Sequence, residues 1–167
     1  LRGLRGHAVT LLAAGIPWYV TTFGRDGLIA AHQLLMINPR LSREVLTLLA
    51  GQQGWERDDW RDEEPGKILH EQRRGELAAA GLIPHTPYYG SVDATPLWLI
   101  LFAETFDWTG DDGILETYWP NALAALEWID KWGDRDGDGF VEYERRAETG
   151  LRNQGWKDST DAIRWLD

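Results

Sequence analysis

The chain has no cysteine, so it has neither a disulfide framework nor a thiolate metal site. That suits a cytoplasmic protein and does not exclude export. Strand signals are nearly absent, and only 18–23 reads as extended. Long apolar runs are missing too. The longest, 94–103, is too short to span a bilayer and contains Pro96. Positive charge is scarce, with 17 Lys and Arg against 27 Asp and Glu and a net charge of −10. This balance argues against nucleic acid or an anionic membrane as the main partner. A neutral carbohydrate meets an acidic protein without electrostatic conflict. With 43% apolar and 26% charged residues, the 167-residue chain reads as one globular domain.

What the chain has in excess is tryptophan, 10 in all. Trp98, Trp108, Trp119, Trp128 and Trp132 sit in helical patterns and are expected in the core. Trp18, Trp55, Trp60 and Trp156 sit beside glycine, proline and charge, as loop residues do. A loop indole offers a flat apolar face that matches the C–H face of a pyranose ring.

Helix signals dominate the rest. A compact apolar helix is expected over 27–36, with Asp26 as its N-cap and Asn38-Pro39 ending it. A second is expected over 41–52, with Val45, Leu46, Leu48 and Leu49 on one side. Loop character follows over 54–66, then partial helix over 67–80 and a Gly/Pro/Tyr-rich loop over 81–91. A nearly all-apolar helix is expected over 94–108, with Pro96 in its first turn. The stretches 112–119 and 121–132 form one helix or two, with Pro120 at the join. After a loop over 133–143, a new helix is expected from Ser159 to the end.

Three similar loop-to-helix transitions recur. Phe23-Gly24-Arg25-Asp26-Gly27, Gly90-Ser91-Val92-Asp93-Ala94 and Gly155-Trp156-Lys157-Asp158-Ser159 place their aspartates 67 and 65 residues apart. Each interval holds one helix out and one back. A period this long, built of helix pairs, suggests an α/α toroid with all three aspartates at one mouth of the ring. Aspartate is also a favoured helix cap, stabilised by the helix N-terminus, and this is the plain reading of any one of the three alone. Delivered together beside indoles and tyrosines, they make a sugar pocket, because carboxylates and arginine match the paired donors and acceptors of sugar hydroxyls.

The run Asp134-Arg135-Asp136-Gly137-Asp138-Gly139 is a separate constellation. Carboxylates at alternate positions and glycine at the sixth match the first half of an EF-hand-type calcium loop. Phe140 would give its carbonyl and Glu142 would ligate at the ninth position, but the twelfth is Arg145 where glutamate is needed. A structural calcium and a plain Asp/Gly turn both remain open. No other cofactor is expected.

Four runs in order carry a resemblance. Gly15-Ile16-Pro17-Trp18 with Phe23-Gly24-Arg25-Asp26 comes first, followed by the run from Arg61 to Glu71, Arg-Asp-Glu-Glu-Pro-Gly-Lys-Ile-Leu-His-Glu. Tyr88-Tyr89-Gly90-Ser91-Val92-Asp93-Ala94-Thr95-Pro96 and Asn153-Gln154-Gly155-Trp156-Lys157-Asp158-Ser159 complete the set. Together they resemble amylo-α-1,6-glucosidase-type glycogen-debranching proteins. These belong to the six-hairpin glycosidases, with relatives similar to glucoamylase and mannosylglycerate hydrolase. The resemblance covers 15–167, and residues 1–14 are an unplaced N-terminal segment.

The resemblance implies an all-α fold, an (α/α)6 toroid of helical hairpins with about half of the barrel present. The chain begins with Leu1 and stops within a helix-like pattern, and so reads as a fragment. It also implies an inverting hydrolase that releases a terminal sugar, with glucose expected, from an α-linked glycan. Asp158 matches the general acid. Arg25 and Asp26 match the pair that holds hydroxyls of the terminal sugar. Trp18, His70, Glu71, Tyr89, Asp93, Trp156 and Lys157 fall in the matched runs as further binding residues. The general base of such enzymes lies later in the chain, and no residue up to Asp167 matches it. Burial beside Trp156 would raise the Asp158 pKa, as an acid requires, whereas an approach of Lys157 would lower it. The alternatives are a non-catalytic, calcium-braced carbohydrate-binding module and a sugar epimerase or lyase on the same toroid. An epimerase or lyase needs a histidine or tyrosine base, and His32, His70 and His85 have no repeated placement at the mouth.

Overall fold

The computed structural model describes residues 12–15, 17 and 20–157. Helix makes up most of the regular structure. The chain runs β1 (Thr22–Phe23), α1 (Gly24–Gln33), α2 (Pro39–Ala50), β2 (Glu71–Gln72), α3 (Glu76–Ala79), α4 (Ala94–Thr109) and α5 (Asp112–Trp128). A π-helical turn, Ile129–Gly133, closes the series, with the Asp134 N–H reaching the Ile129 carbonyl at 2.9 Å. The two strands pair antiparallel, Thr22 opposite Gln72 and Phe23 opposite Glu71. The all-α class expected from the sequence therefore holds for the described residues. Among them, no helix is long and apolar enough to cross a membrane.

Two helical hairpins, α1–α2 and α4–α5, share one core. Helix α1 buries Gly24, Gly27, Leu28 and Ala31, a narrow stripe at helical spacing. Helix α2 begins at Pro39, whose missing N–H costs nothing in a first turn, and buries Leu41, Val45, Leu46 and Leu49 against that stripe. Helix α4 is apolar nearly all round and packs against α1, α2 and α5. Its Trp98 ring stacks on Phe102 at 5.7 Å and meets Tyr118 of α5 edge-on at 6.3 Å. Full burial of side chains this size contributes roughly 2–3 kcal/mol each. Gly110, in the left-handed conformation at φ 61°, ends α4.

Several boundaries differ from the sequence reading. Helix α1 starts at Gly24 rather than Gly27, so Asp26 is its third residue and not its cap. The cause is tertiary. The Gly24 N–H donates to the His70 carbonyl at 2.7 Å, and a Cβ on Gly24 would stand 1.9 Å from the Leu69 carbonyl oxygen. Pro39, read as the end of the first helix, begins the second. Of the partial helix expected over 67–80, only α3 forms. Residues 67–71 are instead a buried strap whose backbone groups bond outward to neighbouring segments. The Lys67 carbonyl takes the Gly54 N–H, the Ile68 N–H donates to Thr95 Oγ1, and the His70 N–H donates to the Tyr88 carbonyl.

Residues 112–128 form one continuous helix across Pro120. The carbonyl that loses its partner there belongs to Glu116, an exposed residue open to water. Trp98 and Trp128 are core residues as expected, but Trp108 and Trp119 face outward. The helix expected from Ser159 lies outside the described residues.

Candidate functional site

Two of the three aspartate loops, and the start of the third run, converge on Arg25. From the first turn of α1, its guanidinium donates to Asp93 Oδ2 at 3.1 Å and to the Gly155 carbonyl at 2.9 Å. Its charge lies 5.4 Å from the centre of the Trp156 ring, within cation–π range. Asp26 Oδ1 is 4.0 Å from the same guanidinium, and its side chain is 49% exposed. Asp93 stands immediately before α4 and makes no side-chain cap. Its Oδ1 instead accepts from Ser91 Oγ at 2.5 Å, while Ser91 Oγ takes the Ala94 N–H at 3.3 Å. Ser91 is thus the cap that the sequence reading assigned to aspartate. A backbone bond from the Val92 N–H to the Gln154 carbonyl, 2.8 Å, joins the second and third runs directly. Trp156 is 71% exposed and Lys157 is exposed beside it. Asp158 and Trp18 lie outside the described residues.

His70, Glu71 and Tyr89, the other expected binding residues, are buried. The His70 ring sits edge-on between Phe23 and Tyr88, 6.0 Å from each. Glu71 Oε1 is 2.8 Å from Arg73 and 3.0 Å from His85 Nε2. Burial pushes the Glu71 carboxyl up, but hydrogen bonds from His85 and Arg73 outweigh it and hold the group below the usual carboxylate value. The Tyr89 hydroxyl donates to the Gln52 carbonyl at 2.9 Å, and burial pushes it well above the ordinary phenol value. These three side chains brace the strap 67–71 and the loop that carries Tyr88 and Tyr89.

The acidic run 61–67 forms a polar core that the sequence reading did not foresee. The Asp62 carboxylate is buried and accepts four hydrogen bonds. Oδ1 takes the Arg146 and Ala147 N–H groups at 2.7 and 2.9 Å, and Oδ2 takes the Tyr88 hydroxyl and the Gln154 amide at 2.8 and 2.9 Å. Tyr88 in turn accepts the Leu151 N–H at 2.8 Å, and burial drives its hydroxyl far above the normal range. Glu64 accepts from Trp128 Nε1 at 2.8 Å and from Arg146 at 3.1 Å. Lys67 lies 3.5 Å from Glu64, and burial lowers its ammonium pKa despite the carboxylates nearby. Gly66, at φ +88°, lets this run pass against α5, where a Cβ would stand 2.0 Å from the Ala124 carbonyl oxygen. The signal available in sequence was three consecutive acidic residues followed by Pro-Gly-Lys. Composition alone reads that pattern as a solvated loop.

In the 134–142 loop, the carboxylates of Asp134, Asp136 and Asp138 offer oxygens within 4.8 Å of one another. Carboxylate oxygens at that spacing are a group that could hold a metal ion, and exposed acidic groups are also common without one. The same carboxylates also accept the loop's own N–H groups. Asp134 takes Gly137 and Gly139, Asp136 takes Asp138, and Asp138 takes Phe140. The loop therefore has an Asx-turn fold of its own. Phe140 is exposed, and Glu142 anchors through its N–H to the Gly133 carbonyl at 2.6 Å.

No protein-family model matches the chain, and no curated protein matches it.

Proposed function

We propose that the chain is the N-terminal portion of an (α/α)6 glycoside hydrolase domain. It would act on a terminal sugar, with glucose expected, of an α-linked glycan or glycoside. The reaction is inversion by general acid and base, with Asp158 as the proton donor and the base supplied from outside these residues. One observation carries the reading. The starts of α1 and α4 and the run before Asp158, distant in sequence, meet at Arg25 on one side of the molecule. Half-exposed Asp26 and exposed Trp156 stand together there, a carboxylate for hydroxyls beside an apolar face for a ring. The repeated hairpin arrangement supports the toroid in the same way. The partner class is carbohydrate, and the resemblance to amylo-α-1,6-glucosidase-type proteins supports the reaction.

Donation from Asp158 to the leaving oxygen requires a protonated carboxyl. The Arg25 charge is already balanced by Asp93, which limits its pull on other acids. In an inverting enzyme, acid and base stand about 6.5–9.5 Å apart with the attacking water between them. The test is release of glucose from maltose, isomaltose and α-glucosyl fluoride by a protein carrying this chain together with the base. Release that persists unchanged in Asp158→Asn would remove the acid assignment. The binding-module reading draws on Trp55, Trp60 and Trp156, all exposed, and on the three-aspartate loop. Under that reading, sugar binds and no variant or substrate yields turnover.

A further inference from the structure

Arg25 differs from its neighbour Asp26 in what it faces. Its side chain is 11% exposed, whereas that of Asp26 is 49% exposed. One terminal nitrogen of Arg25 serves both Asp93 Oδ2, 3.1 Å away, and the Gly155 carbonyl, 2.9 Å away. The guanidinium carbon lies over the Trp156 ring, 5.4 Å from its centre. Asp93 is itself held by Ser91 Oγ at 2.5 Å, and Ser91 is fully buried. The guanidinium is therefore the middle member of a chain running from Ser91 through Asp93 to the 155–156 backbone. Balanced in charge by Asp93, this terminal nitrogen of Arg25 spends its donors inside the protein.

We propose that Arg25 is a positioning residue and not a sugar ligand: by bridging Asp93 to the Gly155 carbonyl it fixes the run bearing Trp156 against the start of α1. Sugar contacts at this mouth then fall to Asp26 and Trp156. The catalytic use of this site rests on the hydrolase reading, but the bridge itself does not. The Val92–Gln154 backbone bond is a second tie between the same segments. Loss of Arg25 therefore loosens the run without releasing it. Lysine at this position keeps the charge, but its ammonium stands one bond nearer the backbone than the Arg25 nitrogen that serves both acceptors, so it falls short of the bridge.

The experiment is amide hydrogen exchange on a protein carrying this chain together with the rest of the proposed domain, read by mass spectrometry, with maltose titration as a second measurement. Arg25→Lys is expected to speed exchange over 151–157 about tenfold, as loss of a charge-assisted hydrogen bond implies, while α2 and α5 keep their protection. Asp26→Asn is expected to leave exchange unchanged. Unchanged exchange over 151–157 in Arg25→Lys overturns the proposal. If that variant also loses maltose affinity, Arg25 is a sugar ligand and the carbohydrate reading stands. Faster local exchange with no maltose binding by any form supports the bridge and counts against the carbohydrate reading. Should Arg25→Lys fail to fold, Ser91→Ala removes the hydroxyl that orients Asp93 and that also accepts the Ala94 N–H at the start of α4. It should raise exchange over 151–157 by a few-fold, and no change there overturns the proposal equally.

Discussion

The Asp62 carboxylate and the Gln154 side-chain amide, 92 residues apart in sequence, are joined by a hydrogen bond of 2.9 Å in the protein interior. Through this contact the charged run 61–67 holds the segment that leads to the candidate site. All four partners of Asp62 are donors, so the site has no place for a side-chain amide of its own. Asp62→Asn turns an NH2 toward groups that also donate and should cost about 3 kcal/mol or more, with Asp62→Ala at least as damaging. Tyr88→Phe removes one partner and should cost about 1–2 kcal/mol. Urea unfolding followed by far-UV circular dichroism measures both. A cost below 0.5 kcal/mol for Asp62→Asn, roughly the size of a surface substitution, would mean that the carboxylate is not the pin described.

Stability should fall in acid partly through Glu71. Its carboxyl is held below the ordinary value of 4.5 when folded, so the folded state binds protons less readily than the unfolded chain. The stabilisation is therefore fully present above the unfolded value and is lost as pH falls through the folded one. Glu71→Gln should be less stable than the parent at pH 7. The gap should close progressively below about pH 4.5, since protonation removes from the parent what the variant already lacks. Unfolding free energies at a series of pH values test this. A gap that stays constant from pH 7 to pH 3 would show that His85 and Arg73 do not favour the ionised carboxyl.

The proposed acid has a leaving-group signature. In a protein that supplies the base, Asp158→Asn should cut kcat on maltose by about 10²–10⁴-fold and recover part of the rate on α-glucosyl fluoride, whose departure needs less protonation. Asp26→Asn should raise KM as well as lower kcat, since a hydroxyl-binding carboxylate acts in both ground and transition states. Equal losses on both substrates for Asp158→Asn would make that residue a substrate clamp or a helix cap.

Calcium bound by the 134–142 loop would stabilise the folded state by mass action, because the unfolded chain has no comparable site. The expected outcome is a higher Tm in millimolar calcium than in chelator, with the difference abolished by Asp136→Ala. Identical melting curves in both conditions would leave the loop as the Asx-turn described above.

The sequence by itself determined the helical class and most of the helices, since apolar spacing and local stop signals act within a few turns. The apolar stretch beginning at Ala94 and the stripe Val45-Leu46-Leu49 were readable in that way. So was the helix start just after Asp93, whereas Asp26 falls inside α1 and not before it. Only the tertiary structure decided that α1 begins at Gly24, that Trp108 and Trp119 face outward, and that Asp62 and Glu64 lie inside. The physical reason is range. Periodicity states which face of a helix is apolar, but not how many apolar faces its neighbours will cover. A carboxylate is equally at home in water and in a ring of buried donors. Asp62 found its donors at Tyr88, Arg146, Ala147 and Gln154, brought together from 26 to 92 residues away by packing that no local pattern records.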